Sequence, residues 1–276
     1  MALVHDGKEY LDKDYKELCA EEWAKGGSFF CYNSDNPSSL ASCCRVLNEM
    51  EDNTFSSTTG MTGIMTGSCS VITLNINRIV QNFILEKYGT ITSDQLTPQV
   101  YSKMAIYLTE ILERVYKYHI AYKTMLYEQE DKGMFTFSTG GYLYLKKLYS
   151  TIGVLGYGEA AKFLGLDISN NNDYKEFLQL ILGTIRDQNK AHAIRDPKRP
   201  FLFNSEAVPG ESLAVKLYQW DKADGYVVPE NQNLYNCYFY NPWSNDTSVL
   251  DKLKLHGKEI SKFTDGGLNM LGLLTQ

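Results

Sequence analysis

The stretch CSVITLNINRIVQNFI, residues 69–84, decides the fold class, because two kinds of periodicity meet in it. The β-branched run over 69–75 predicts a buried strand. From Ile76 onwards, apolar side chains recur at i, i+3, i+4, i+7 and i+8, which predicts a helix that the strand feeds directly. A second such unit is the strand predicted over 200–208, which PGESLAVKLYQWDK continues as a helix. Strands that alternate with helices indicate an α/β barrel or a doubly wound sheet.

The remaining segments fit this alternating order. Thr97 followed by Pro98 predicts the start of a long helix, since threonine caps helices and proline suits the first helical position. Further helices are predicted over 8–25, 172–193 and 246–262, and further strands over 28–33, 133–137 and 233–240. Residues 142–165 are predicted to form a helix interrupted by glycines. Their G-x-x-G-x-G spacing resembles a dinucleotide loop, but no clear strand precedes it in the sequence pattern.

Composition narrows the class of protein. The chain has 276 residues, of which 43% are hydrophobic, so it can bury a sizeable core. A net charge of −6 argues against an extended nucleic-acid surface, which needs clustered lysine and arginine. No apolar run is long enough to span a membrane, and the N-terminal stretch lacks the pattern of a secretion signal. We therefore expect a cytoplasmic location, with no membrane and no nucleic acid among the partners.

The cysteines indicate free thiols. Six are spread along the chain, and Cys43 and Cys44 are neighbours, which does not suit a relaxed disulfide. The four histidines are scattered and no C-x-x-C occurs, so no metal site is expected. The vicinal pair lies in a segment, 34–67, that is rich in small polar residues and predicted to be a loop. The residues alone leave two interpretations open: a thiol that the loop carries into a site, or two buried cysteines that act as small hydrophobes.

The stretch NSEAVPGESLAVK, residues 204–216, offers a candidate anion site. A strand is predicted to end at Val208, and a helix opens after Pro209 and Gly210, so free backbone N–H groups point beyond the strand's carboxyl end. An ordinary proline-initiated helix with a simple cap is the alternative. Glu211 argues mildly against phosphate, since its carboxylate competes for the same N–H groups.

Taken in order, several stretches resemble the catalytic subunit of the anaerobic (class III) ribonucleotide reductases, a glycyl-radical family. They are SLASCCRV (39–46), SVITLNINRI (70–79), LYSTIGVLGYGEA (148–160), FNSEAVPGESLAVK (203–216), NLYNCYFYNP (233–242) and GKEISKFTDGG (257–267). The resemblance implies part of a ten-stranded α/β barrel with a central finger loop, here about 34–67. It also implies that 1–276 forms a single, partial catalytic domain.

The same resemblance implies the chemistry. A finger-loop cysteine loses its hydrogen to a glycyl radical, and the resulting thiyl radical abstracts the 3′ hydrogen of a ribonucleoside triphosphate so that the 2′ hydroxyl leaves as water. The family's cysteine directly precedes an arginine, which maps to Cys44 before Arg45, with Cys43 as the fallback. The family's Pro-x-Glu turn maps to Pro209, Gly210 and Glu211, which would meet the substrate phosphates together with Ser212. Asn204 and Glu206, on the preceding strand, would line the pocket.

The chain also departs from the family pattern. Family members that use formate as reductant carry a serine two residues after the radical cysteine and an asparagine before the next strand; here those places hold Val46 and, near the second, Ser68. Formate dependence is therefore in doubt, and Cys43 and Cys69 favour a redoxin as reductant.

Several family segments have no counterpart in the sequence: the glycyl-radical segment, the four-cysteine zinc site, the ATP-binding module and the first half of the barrel. We accordingly expect the chain to need other reductase segments, which supply the glycyl radical, and a radical-SAM iron–sulfur activating enzyme. An open half-barrel exposes strand edges, so oligomerisation is also expected. Two alternatives are a glycyl-radical enzyme of the pyruvate formate-lyase type and a non-catalytic scaffold that binds reductase subunits.

Overall fold

The computed structural model describes residues 9–27, 39–41, 47–49, 67–208, 211–241 and 247–264. Its strands are β1 (Ser39–Ala41), β2 (Leu47–Glu49), β3 (Gly67–Asn75), β4 (Leu148–Leu155) and β5 (Leu202–Ala207). The helices are α1 (Lys13–Ala24), α2 (Ile76–Lys87), α3 (Pro98–Asp131), α4 (Thr136–Thr139), α5 (Tyr157–Phe163), α6 (Asn172–His192), α7 (Glu211–Ala223), α8 (Val249–His256) and α9 (Lys258–Ser261).

The centre of the molecule is a parallel sheet in the order β3-β4-β5. Helices α2 to α4 connect β3 to β4, and α5 and α6 connect β4 to β5, so each connection returns the chain to the same end of the sheet. Thr151 of β4 is paired to Val71 of β3 and to Asn204 of β5, and the β3–β4 register shifts once, between Ser68 and Ser70. Strands β1 and β2 form a separate antiparallel pair. The predicted α/β class is confirmed.

One face of this sheet builds the hydrophobic core. Alternate residues of a strand point to opposite faces, and the set that includes Ile152 and Val154 on β4 packs, with Leu74 of β3 and Phe203 of β5, against α2, α3, α5 and α6. Helix α3 contributes one continuous apolar stripe to it: Val100, Met104, Leu108, Leu112 and Val115. The stripe explains why a helix of 34 residues is stable here.

The helix starts follow the sequence signals. Thr97 caps α3, where its hydroxyl accepts a hydrogen bond from the backbone N–H of Val100 at 3.4 Å, and Pro98 takes the first helical position. Asn75 caps α2 by accepting from the N–H of Arg78 at 3.1 Å. A capped end satisfies backbone donors that would otherwise lack partners, which fixes where each helix begins.

Residues 142–165 correct one prediction. Within the segment expected to be a glycine-interrupted helix, Leu148–Leu155 form strand β4, Gly156 follows at φ +79°, and only Tyr157–Phe163, helix α5, are α-helical. Nearly every residue of β4 is buried, so the strand has no alternating pattern to distinguish it from a buried helix. The glycines allow close contact and a tight strand-to-helix turn; a Cβ on Gly156 would lie 3.3 Å from the backbone nitrogen of Asn77.

Two predicted strands are wrong as well. Residues 133–137 form a turn that leads into the short helix α4. Residues 233–240 are irregular, because the side chain of Asn236 donates to the carbonyls of Tyr238 and Tyr240, at 3.2 and 2.6 Å, and so curls the backbone on itself. The predicted strand at 28–33 lies outside the described residues.

No helix in the described part of the chain combines the length and apolar character that a membrane crossing requires.

Candidate functional site

The carboxyl ends of the three parallel strands lie at one edge of the sheet. Asn75 ends β3, Leu155 ends β4 and Ala207 ends β5. In α/β sheets, ligands bind beyond this edge, where loops and helix starts converge. Within the segment predicted to bind phosphate, Glu211 and Ser212 begin α7, which follows β5 along the chain.

Asn204 and Glu206 lie on the face of the sheet opposite the core. They alternate with Phe203 along β5, and their side chains are 1% and 7% exposed. The hydroxyl of Thr151 donates to Oδ1 of Asn204 at 2.7 Å. The Ser68 hydroxyl lies 2.7 Å from the same Thr151 oxygen, so three strands are joined by one row of neutral polar side chains. The two residues predicted from sequence on β5 therefore share one buried polar face.

The other predicted site residues are placed only in part. Glu211 is the first residue of α7, and Ser212, the next one, is exposed. Pro209, Gly210, Cys43 and Cys44 lie outside the described residues. Ala41 of β1 pairs with Leu47 of β2, so the cysteines fall, in sequence, between two strands that pair with each other.

A buried carboxylate that the sequence analysis did not identify lies next to this edge. Asp221, on α7, is fully buried and accepts from Nδ2 of Asn75 at 2.9 and 3.0 Å. It also accepts from Nε of Arg78 at 2.6 Å and from the hydroxyl of Tyr235 at 2.5 Å. The donors come from the end of β3, the start of α2 and the segment after α7. Asp221 thereby ties α7 to the sheet edge.

Glu159, in the first turn of α5, is a second buried carboxyl group at this end of the sheet. Its Oε1 accepts from the backbone N–H of Asn236 at 3.0 Å, while Oε2 is buried with no hydrogen-bond partner in the described part of the chain. Burial raises the pKa of Glu159 from 4.5 to about 7, and the hydrogen bond from Asn236 opposes that shift. The group therefore changes charge near neutral pH.

Glu159 should make the stability of the protein fall as pH rises from about 4.5 to about 7. In this range the folded state keeps a proton that the unfolded state releases. The free energy of unfolding therefore falls as pH rises, until Glu159 is ionised in both states. The shift corresponds to a loss on the order of 3 kcal/mol across that range. Glu159→Gln, which keeps the acceptor for Asn236, should remove this loss in urea unfolding at several pH values. The exposed Glu128→Gln should leave it in place; an unchanged pH profile in Glu159→Gln would contradict the assignment.

Two buried basic side chains lie on α3, beneath the opposite, core-facing side of the sheet. Nδ1 of His119 is 2.9 Å from the Ser70 hydroxyl, and burial lowers the pKa of the imidazole to about 4, so it is neutral at pH 7. Nζ of Lys123 donates to the carbonyl of Leu148 at 2.6 Å, and burial lowers its pKa. Both lie in line with the buried Tyr116 and Tyr127 on α3, and this spacing is the sequence signal that could have identified them.

A family model described as anaerobic ribonucleoside-triphosphate reductase matches residues 3–271. No curated protein matches the chain.

Among solved structures, the anaerobic ribonucleotide reductase from Thermotoga maritima in complex with dATP and CTP is 23% identical, with a TM-score of 0.68, over 95% of this chain and 41% of that one. A further structure, titled anaerobic ribonucleotide reductase, is 22% identical with a TM-score of 0.70, over 97% of this chain and 39% of that one. At these identities the likeness shows a common fold. The chain spans about two fifths of the length of the structures that it matches.

Proposed function

Because the chain belongs to the anaerobic ribonucleoside-triphosphate reductase family, we propose that it forms part of the catalytic domain that reduces ribonucleoside triphosphates to deoxyribonucleoside triphosphates. The observation that carries the proposal is the family match over 3–271, together with a buried polar face where the fold expects a ligand. Asn204 and Glu206 line the sugar pocket on that face. Pro209, Gly210, Glu211 and Ser212 meet the phosphates through the backbone amides that open α7.

In this proposal the sheet is one part of a ten-stranded barrel. In the described part of the chain, β3 and β5 each pair on one side only, so each has an edge free for a further strand. The polar face would then line the interior of the barrel, and the segment 34–67 would be the finger loop. Residues 1–276 act as one domain with the other reductase segments.

The chemistry runs through Cys44. A glycyl radical in a segment outside these 276 residues supplies hydrogen-atom abstraction, and a radical-SAM activating enzyme generates it. The Cys44 thiyl radical takes the 3′ hydrogen of the ribose, and the 2′ hydroxyl then leaves as water. Reduction needs two electrons and two protons, which a redoxin dithiol supplies as it is oxidised to a disulfide. The 3′ hydrogen finally returns from the Cys44 thiol.

Ligand binding separates this proposal from the lyase and scaffold alternatives. The full chain is titrated calorimetrically with each ribonucleoside triphosphate, with pyruvate and with coenzyme A. Binding of one or more triphosphates and of neither lyase substrate is expected. Binding of pyruvate or coenzyme A without triphosphate binding would replace the reductase proposal with the lyase, and binding of none would favour the scaffold.

The reductant is tested separately in the assembled reductase. Turnover is expected with a redoxin and its reducing system, and little turnover with formate, because Val46 occupies the position where formate users carry serine. Full turnover with formate and none with the redoxin would overturn the reductant assignment and leave the reductase assignment intact.

A further inference from the structure

One row of hydroxyl and amide groups runs across the polar face of the sheet, and at its β5 end the Thr151 hydroxyl donates to Asn204. Ser68 lies on β3, Thr151 on β4 and Asn204 on β5, and each contact between neighbours is 2.7 Å long. Thr151 is fully buried and Asn204 is 1% exposed, so water does not compete for these bonds.

The hydrogen bond from Thr151 determines which atom of the Asn204 side-chain amide remains without a partner. The Thr151 hydroxyl donates to Oδ1 of Asn204, so the amide nitrogen Nδ2 points away from β4. In the described part of the chain Nδ2 is buried and has no hydrogen-bond partner. Buried donors without an acceptor are rare in native proteins, and a site that lacks its ligand is one reason for them. The amide therefore presents two N–H groups for which residues 67–208 and the other described segments supply no acceptor.

The position of the amide identifies that acceptor. Asn204 lies three residues, roughly 10 Å along the strand, before Ala207, which ends β5 on the way to α7. The triphosphate, in the proposed function, rests at the turn that opens α7, which places the sugar farther back along β5. The row of Ser68, Thr151 and Asn204 contains no charged group, which suits a neutral hydroxyl oxygen better than a phosphate.

On the premise of the proposed function, we propose that Thr151 is a positioning residue for substrate selection: it holds the Asn204 amide so that Nδ2 donates to a ribose hydroxyl oxygen. Ser68 supports Thr151 from the neighbouring strand. The consequence is discrimination between ribonucleotides and 2′-deoxyribonucleotides, because only the former present the 2′ oxygen. An amide that loses its anchor can turn and no longer offers a fixed donor there.

The test compares the binding of CTP and of 2′-deoxy-CTP to the full chain. Wild type should prefer CTP by about fivefold to tenfold, the worth of one hydrogen bond in a buried site. Thr151→Val removes the hydroxyl and keeps the side-chain shape, so the preference should fall below about twofold. Thr151→Ser restores a hydroxyl and should restore the preference. Thermal unfolding of each variant checks that the fold is intact.

The possible outcomes separate the two proposals. If wild type prefers CTP and Thr151→Val keeps that preference, the role of Thr151 is refuted while the proposed function stands. If Thr151→Val weakens both ligands equally, Thr151 contributes to the fold and not to selection, and the inference fails. If wild type binds no ribonucleoside triphosphate, the proposed function fails and this inference fails with it.

Discussion

Serine at position 44 is expected to abolish deoxyribonucleotide formation, with a loss of at least about a thousandfold. A serine hydroxyl holds its hydrogen far more strongly than a thiol does, so Cys44→Ser cannot form the radical that attacks the ribose. The measurement is conversion of labelled ribonucleoside triphosphate under anaerobic conditions in the assembled reductase. Electron paramagnetic resonance should still detect the glycyl radical, because that radical precedes the cysteine in the proposed sequence of steps.

Two other cysteines provide matched controls. Cys43→Ser changes the neighbouring thiol and should keep turnover within a few-fold when a chemical dithiol supplies the electrons. Cys69 lies on β3, where its thiol donates to the carbonyl of Tyr149 at 3.3 Å. Cys69→Ser keeps a donor at that site, so turnover with a chemical dithiol as electron source should be almost unchanged. Loss of turnover in Cys43→Ser with retention in Cys44→Ser would transfer the radical to Cys43. Full turnover in both variants would end the thiyl mechanism for this chain.

The parts of the fold that sequence predicted are those in which one pattern dominates. The apolar stripe of α3, from Val100 to Val115, and its capping residues Thr97 and Pro98 all indicate the same helix, and the structure confirms it. Strand β4 was not predicted, because it is buried on both faces and so lacks the alternation of apolar and polar residues that identifies a strand. The prediction for the irregular segment 233–240 is wrong for another reason: it has the aromatic content of a strand, but the hydrogen bonds of one asparagine decide its backbone.

The candidate site divides in the same way. The resemblance of 203–216 to the reductase family indicated Asn204 and Glu206, and the structure places both on one buried face of β5. Thr151 and Ser68 could not be predicted, since their relation to Asn204 depends on which strands become neighbours and in which register. Asp221 is separated from its Asn75 and Arg78 partners by more than 140 residues. A faint signal did exist, because Asp221 continues the buried stripe of Ala214, Leu217 and Tyr218 along α7.

Replacing Asp221 with asparagine should have a large effect on stability, a loss of about 3 kcal/mol. The carboxylate is fully buried and accepts hydrogen bonds from Asn75, Arg78 and Tyr235. Asp221→Asn keeps the shape, removes the charge and turns one acceptor oxygen into a donor, so at least one of these donors must face another donor. Urea unfolding of the full chain measures the loss as a shift of the midpoint at unchanged slope.

Asp224→Asn is the matched control for Asp221→Asn. Asp224 also pairs with Arg78, at 2.6 Å, but its side chain is 55% exposed. An ion pair open to solvent contributes little, so Asp224→Asn should cost less than about 1 kcal/mol. Equal, small losses in both variants would show that burial does not strengthen the Asp221 cluster.

Because α7 begins at the proposed phosphate turn, a loosened Asp221 cluster should also weaken CTP binding, whereas Asp224→Asn should leave it unchanged. Asp221→Asn would then lower both stability and CTP binding, and Asp224→Asn would change neither by much. This result is expected if Asp221 holds the helix that follows the proposed phosphate turn.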